Sequence, residues 1–272
     1  MKRAAGRKVS KRNTPDLASK KKLYALGGRI MDLLIKGSPE LNKMFMALQR
    51  TATGLRHDFG EVENLQQSLR GARDFVHRAA ARIEEEILSD LSLVRPSAGL
   101  LTPNLTRDGD GRDEFVLALS GAENFVRANP RFAISLALRT GYETKIALIY
   151  SPIDEYLYYA ESGAGAFAYS AFHSARIRVS NIKDPADMTA AYNGIAGNPF
   201  GVGAVRETGC PAMDLAWVAA GKFDAFMSGT IDFAEICAGE LIVRESGGKI
   251  EIGADITATN GKVPFAGEGG DR

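Results

Sequence analysis

Two short apolar runs on either side of a glycine turn are the clearest pattern along the chain. Phe115 to Leu119 ends at Ser120-Gly121, and Phe132 to Leu138 forms the second run. Runs of this length, bounded by turn residues, predict two strands. Gly121 can adopt backbone angles that other residues resist, and the amides after it would open a helix. We therefore expect a site at this turn, with an anion-binding position at Gly121 and Ala122.

Two stretches before this turn have the spacing of amphipathic helices. Ser38 followed by Pro39 is typical of a helix start, and apolar residues then recur at helical spacing: Leu41, Phe45, Leu48, Ala52, Leu55 and Phe59. A second helical segment is predicted to begin at Asp74, with one apolar face formed by Phe75, Ala79, Ile83, Ile87 and Leu91. Both apolar faces should belong to the core.

Further strands are predicted after the second apolar run. The segments Ile146 to Tyr150, Asp154 to Ala160 and Gly163 to Phe167, with the turn Ser151-Pro152, indicate two strands joined by a turn. Arg176 to Ser180 has the pattern of a strand that closes the first of two domains.

The overall composition is that of a folded protein, but its charge is divided unevenly. The chain has 272 residues, 45% of them hydrophobic, and a net charge of +1. Residues 1–36 contain eleven of the 34 basic residues and two of the 33 acidic ones, a net of +9. The remainder has 23 basic and 31 acidic residues, a net of −8. A basic arm therefore precedes an acidic body.

The arm has several possible roles that its sequence does not separate. Residues 1–19 are polar and lack apolar periodicity, so we expect them to be disordered, whereas residues 23–34 are compatible with a short helix. The arm could be a solvated tail, a contact for nucleic acid or an acidic protein, or an organelle transit peptide.

Cysteine content and hydropathy indicate the cellular compartment to expect. Cys210 and Cys237 are too few for a disulfide framework, and no C-x-x-C pattern indicates zinc. A reducing compartment, the cytoplasm, is the expected location. Because no apolar run approaches the ~20 residues that cross a bilayer, no membrane span is predicted.

The most distinctive segments lie in the second half of the chain. Residues 209–226 read GCPAMDLAWVAAGKFDAF, and residues 235–248 read EICAGELIVRESGG. Together with the turn SGAENF at residues 120–125, they resemble the motifs of the inositol monophosphatase family, over about residues 37 to 265. The resemblance implies an α/β fold built as a layered αβαβα sandwich. It also implies sub-domains at 37–180 and 181–265, with a separate arm at 1–36 and a tail at 266–272.

Family members hold catalytic magnesium with carboxylates, and most of these carboxylates are replaced here. The resemblance places Leu117 and Ser120 at the two aspartates of the central motif, and Ala122 at a threonine that helps to position the attacking water. Leucine offers no oxygen to a hard cation. The central motif is therefore expected not to bind catalytic magnesium.

At most of the remaining family positions, the carboxylate is also replaced. Ala80 stands at a ligand aspartate of the second helix, and Pro103 stands at a glutamate that binds metal and helps to activate water. Ser228 replaces a glutamate that contacts substrate, whereas Glu235 keeps a carboxylate at the last ligand position. Since phosphoester hydrolysis of this type needs several carboxylates around two or more cations, we expect no catalytic residue and no metal.

Two functions follow from the resemblance. The first is a catalytically inactive relative that acts by binding, because one bacterial family member joins transcription antitermination complexes and ribosomal RNA maturation independently of phosphatase activity. The second is a magnesium-dependent phosphatase acting on inositol or sugar phosphates. No cofactor is expected under the first reading, and magnesium under the second. Family members are commonly dimers, which implies a homodimer here.

Overall fold

The structure is a computed structural model that describes residues 35–64, 68–107, 109–229 and 231–263. Nearly all of the basic arm and the whole of the tail at 266–272 lie outside these residues, so the predictions made for them stay predictions. Eight strands form one mixed sheet: β1 Gly99–Leu101, β2 Thr106–Arg107, β3 Asp113–Ser120, β4 Ala133–Thr140, β5 Glu143–Ser151, β6 Tyr156–Glu161, β7 Gly165–Ser170 and β8 His173–Arg176. Their order is β2-β1-β3-β4-β5-β6-β7-β8.

A second sheet of five strands follows in the chain. Its members are β9 Thr189–Asn193, β10 Ala204–Arg206, β11 Ala225–Ser228, β12 Lys249–Ile252 and β13 Ile256–Thr259, in the order β10-β9-β11-β13-β12. β9 is parallel to both of its neighbours, and β13 is antiparallel to β11 and β12. The predicted boundary near residue 180 falls between the two sheets, and the division into sub-domains stays a prediction.

Five α-helices are described: α1 Pro39–Asn64, α2 Leu69–Leu91, α3 Ala122–Val126, α4 Pro211–Ala219 and α5 Phe233–Glu245. Alternation along β5 shows how they are layered, because successive strand residues face opposite sides of a sheet. Ile149 belongs to a core that includes α4, α5 and inward residues of both sheets. Tyr150 faces the other way and meets the Phe45 ring of α1, with centroids 6.1 Å apart.

The layers confirm the predicted α/β class. Helices α1 and α2 pack together and cover one face of the large sheet, and α4 and α5 lie between the two sheets. The outer face of the second sheet carries a separate apolar cluster in which Tyr192 of β9 packs against Ile195, Phe200 and Val202 of the following loop. In none of the described helices is there an apolar stretch long enough to cross a membrane.

Both predicted helices are present, but the start of the second one was predicted wrongly. α1 begins at Pro39 as predicted, but the second helix begins at Leu69 and not at Asp74. The Ser68 hydroxyl accepts a hydrogen bond of 3.2 Å from a backbone amide of the first turn, which supplies the cap that a helix start requires. The first turn contains Gly71, a residue with low helix propensity, which weakens the sequence signal for this start. Val76 is consequently buried where Phe75, only half-buried, was expected.

The segment from Ile146 to Phe167 belongs to three strands, β5, β6 and β7, so the prediction of two strands joined by a turn is wrong. β6 and β7 are separated by a tight turn in which Gly163 and Gly165 both have positive φ, 80° and 93°. Both amides donate to the Glu245 carboxylate of α5, at 2.6 and 2.7 Å. Glycine permits the turn, and the distant carboxylate holds it.

The predicted strand at residues 176–180 is also misplaced, since β8 ends at Arg176. The Ile177 amide still donates to Ala166 of β7 at 2.9 Å, but the Val179 amide donates to the carbonyl of Ser246 at 3.3 Å. The backbone therefore leaves the sheet edge after Ile177, and its next hydrogen bond reaches the end of α5.

Candidate functional site: three helix starts around Ser120

Ser120 is the centre of the candidate site. It is the last residue of β3, is fully buried, and lies opposite Ala133 in the antiparallel pair with β4. Its hydroxyl donates a hydrogen bond of 2.8 Å to Oε2 of Glu235 and accepts one of 3.2 Å from the amide of Ala212. The hydroxyl thereby ties β3 to α5 and to α4.

Three helices begin around this serine. α3 starts immediately after Gly121, whose φ of 81° places it in the left-handed region. α4 starts after Cys210 with a proline at its first position, and α5 starts after Asp232, whose carboxylate accepts a bond of 2.8 Å from the Ala234 amide. Helix starts carry unpaired amides and partial positive charge. One of those amides, that of Ala212, is satisfied by Ser120.

Glu235 supplies the negative charge of the site. It is the third residue of α5 and is partly buried. Burial raises the pKa of its carboxyl group, the Ser120 hydrogen bond acts in the opposite direction, and the nearby Asp232 charge raises it further. The carboxylate therefore has a hydroxyl donor within the protein and a reduced tendency to ionise.

Leu117 lies on the same strand as Ser120 but belongs to an apolar environment. Val116 and Ala118 on either side of it point into the core between the sheets, so alternation directs Leu117 to the opposite face. It is 2% exposed and pairs with Leu136 of β4. A carboxylate at this position would be buried without a partner among these neighbours.

The other predicted positions lie on separate elements. β1 runs parallel to β3, with Leu101 opposite Val116, so Pro103 follows β1 at the edge where Ser120 ends β3. The Pro103 side chain is exposed, as is Ala122 at the first position of α3, whereas Ala80 is half-buried in α2. The structure thus joins Ser120 and Glu235 directly, while the remaining positions contribute no ligand atom.

These residues do not fit magnesium, which prefers octahedral oxygen coordination with carboxylates. Only Glu235 offers a carboxylate at the matched positions, and one of its oxygens already accepts the Ser120 hydroxyl. Across the described part of the chain, no group of three or more His, Cys, Asp or Glu side chains could hold a metal ion.

Sequence reasoning missed a buried carboxylate beside the site. Asp214 in α4 is fully buried; its Oδ1 accepts a bond of 2.7 Å from the Thr208 hydroxyl, and its Oδ2 has no hydrogen-bond partner. Burial raises the pKa of Asp214 to about 7, against the smaller opposing effect of Thr208. An acidic residue inside the apolar run PAMDLAWVA was the available signal.

Cys210 is a second residue close to the site. Its thiol lies 3.5 Å from the Ser120 carbonyl and is fully buried. Burial raises its pKa to about 12, so the thiol is un-ionised and is a poor nucleophile. Both cysteines of the chain are buried free thiols.

Comparison with known proteins places this site in context. The profile of the Inositol monophosphatase family matches residues 39–262. The chain is 35% identical over 226 residues to an inositol-1-monophosphatase from Caulobacter vibrioides, covering 76% of this chain and 87% of that protein. It is 29% identical over 228 residues to Nus factor SuhB from Escherichia coli K12, covering 77% and 84%.

A solved structure agrees with these sequence relatives. The extragenic suppressor protein suhB from Bartonella henselae superposes with a TM-score of 0.72 at 30% identity, over 83% of this chain and 94% of that one. The match therefore supports a shared fold over most of the chain.

Proposed function

The chain belongs to the inositol monophosphatase family, and from that premise we propose that it is a catalytically inactive member that acts by binding. One observation supports this most directly. At the two central ligand positions, Leu117 is buried among apolar side chains and Ser120 donates its hydroxyl to the one remaining carboxylate, Glu235. Hydrolysis assisted by two metal ions needs carboxylates that position both the attacking water and the leaving oxygen.

A binding role is supported by the arm and by one class of relative. The similar Escherichia coli protein is named a Nus factor, and the first 36 residues of this chain carry a net charge of +9. A basic segment attracts phosphate backbones, whereas the body, with a net of −8, repels them at long range. We assign the arm as a contact for nucleic acid, with an RNA- or ribosome-linked role in the cytoplasm.

The arm is tested by comparing the full chain with a chain lacking residues 1–36. Fluorescence anisotropy of a short labelled RNA should show binding by the full chain, with affinity falling steeply as salt rises, since counterions are released. The shortened chain should not bind, while its melting temperature stays close to that of the full chain because the first core helix, α1, begins at Pro39. Equal binding by both chains, or by neither, would exclude the arm as the contact.

Magnesium-dependent hydrolysis of inositol or sugar phosphates is the second candidate. The 35% identical Caulobacter vibrioides relative, named an inositol-1-monophosphatase, favours it, and Glu235 keeps one carboxylate at the site. This function would require magnesium to bind with a ligand set that the described residues do not supply. Phosphate release from inositol 1-phosphate separates the two candidates.

We also propose that the body forms a homodimer, as its family membership suggests. Light scattering should give about twice the chain mass of 29.2 kDa. A monomer mass at every micromolar concentration would contradict this.

A further inference from the structure

A surface of interleaved cations and aromatic rings lies at the far end of α4 from Ser120. It consists of Arg131, Tyr156, Trp217, Lys222 and Phe223, here called the Trp217 patch. The three rings are partly buried against the core between the sheets, while Arg131 and Lys222 are exposed. Trp217 is the only tryptophan in the chain.

The end of α4 builds the aromatic part of the patch. Gly221 has a φ of 66° and its amide donates to the Val218 carbonyl at 3.0 Å. The amides of Lys222 and Phe223 both return to the Trp217 carbonyl, at 2.8 and 3.2 Å. This is the glycine-terminated helix end that reverses the chain. It brings the Phe223 ring edge-on to Trp217, with centroids 5.2 Å apart and an angle of 87°.

Two cations are placed over these rings. The Arg131 guanidinium lies 5.2 Å from the centroid of Trp217. Its ion pair with Asp154 is long, at 3.7 Å, and both side chains are about half exposed, at 49% and 50%. The Lys222 ammonium lies 5.2 Å from the Tyr156 ring and donates to the hydroxyl of Tyr158 at 2.7 Å. Two cations against one carboxylate make this surface locally positive on an acidic body.

Proteins that bind single-stranded nucleic acids commonly combine aromatic rings with cations. Each exposed base offers a face for stacking on an aromatic side chain, and each phosphate attracts a nearby cation. A double helix keeps its base faces stacked on one another and does not offer them. The Trp217 patch supplies both kinds of contact within one surface.

We propose that the Trp217 patch binds single-stranded nucleic acid, with a base stacked on the Phe223 ring next to Trp217 and with Arg131 and Lys222 contacting the adjoining phosphates. The proposal rests on the nucleic-acid role assigned to the arm and adds a contact that requires bases. The arm attracts any polyanion, whereas the patch distinguishes a strand with accessible bases from a bare chain of phosphates.

The lone tryptophan makes this testable in the full-length protein. Labelled single strands of ~12 nucleotides, as RNA and as DNA, are titrated while anisotropy reports binding and Trp217 emission reports stacking. Inorganic polyphosphate and a matched duplex serve as ligands without accessible bases. We expect the single strands to quench Trp217 and the other two ligands to bind without quenching. The RNA and DNA arms show which backbone is preferred.

Three variants locate the contact. Phe223→Ala should weaken single-strand binding at least about fivefold, the lower range for one stacked base. Lys222→Gln should lower the salt slope by about 0.7, the share of one phosphate contact. Lys249→Gln removes the same charge from an exposed position on β12 of the second sheet and should change neither value.

The outcomes distinguish nucleic-acid binding by the Trp217 patch from binding by the basic arm alone. Binding without quenching, equal quenching by polyphosphate, or equal effects of Lys222→Gln and Lys249→Gln would overturn the patch and leave the arm as the contact. Absence of any anisotropy change would overturn both. Quenching by single strands alone, lost with Phe223→Ala, would establish the patch.

Discussion

The Ser120 hydroxyl and the Glu235 carboxylate, 115 residues apart in the chain, are joined by a hydrogen bond of 2.8 Å. Each group satisfies the other, at positions that the family resemblance predicts to be metal-binding aspartates. We therefore expect Ser120→Ala to destabilise the fold by about 1–3 kcal/mol, because it leaves both the carboxylate and the Ala212 amide without a partner. Urea denaturation measures this. Glu235→Gln, which can still accept the hydroxyl, is the matched control and should cost less; equal stability of Ser120→Ala and wild type would contradict the structural role.

Magnesium should leave the stability of the fold unchanged. A ligand that binds only the native state raises stability in proportion to RT ln(1 + [L]/Kd), and a site with one carboxylate should have a Kd far above the working concentration. Thermal melts with and without ~10 mM magnesium should overlay. An upward shift that a chelator reverses would mean that a metal site is present after all.

Restoring two ligands should not restore activity. In the double variant Leu117→Asp with Ser120→Asp, Pro103 and Ala122 still lack the groups that activate water. Leu117 is 2% exposed, so an aspartate there is buried without a partner and destabilises the fold. We expect a lower melting temperature and no turnover. Ser120→Asp alone is the control for folding, and turnover in the double variant would show that the rest of the site is intact.

The central part of the fold was accessible to sequence reasoning because its signals are local. The apolar runs around Gly121 correctly predicted β3 and β4, and Ser38-Pro39 correctly predicted the start of α1. Errors arose where a distant group decides the local structure. The β6–β7 turn depends on Glu245, eighty residues away, and the chain leaves β8 for a bond to Ser246. Neither partner is visible in the local pattern.

The candidate site was also predictable only in part. The matching motifs placed Ser120 and Glu235 at expected ligand positions of one site. They did not predict the hydrogen bond between these residues, because that bond depends on how α5 packs against β3. Asp214 belongs to a matching motif, but its burial and its unpaired oxygen were not predicted, because they depend on how the apolar helix around it packs.

Asp214 should make stability depend on pH. Its pKa is about 7 in the native state against an ordinary value of 3.8, so between these values the native state holds more protons than the unfolded state. Stability contributed by Asp214 is therefore complete below about pH 4 and is lost as pH rises towards 7, by up to about 4 kcal/mol. Asp214→Asn should remove this dependence. Parallel unfolding curves across pH 4 to 8 check it, and an identical pH slope in wild type and variant would refute it.

The most direct test of catalytic inactivity is phosphate release from inositol 1-phosphate by the purified full-length chain, with magnesium and then with a chelator. The Caulobacter vibrioides relative serves as the positive control, and Glu235→Gln removes the remaining carboxylate. We predict that the wild-type chain releases no more phosphate than Glu235→Gln in either condition. Magnesium-dependent release that the chelator stops and Glu235→Gln abolishes would contradict the account and establish the chain as a phosphatase.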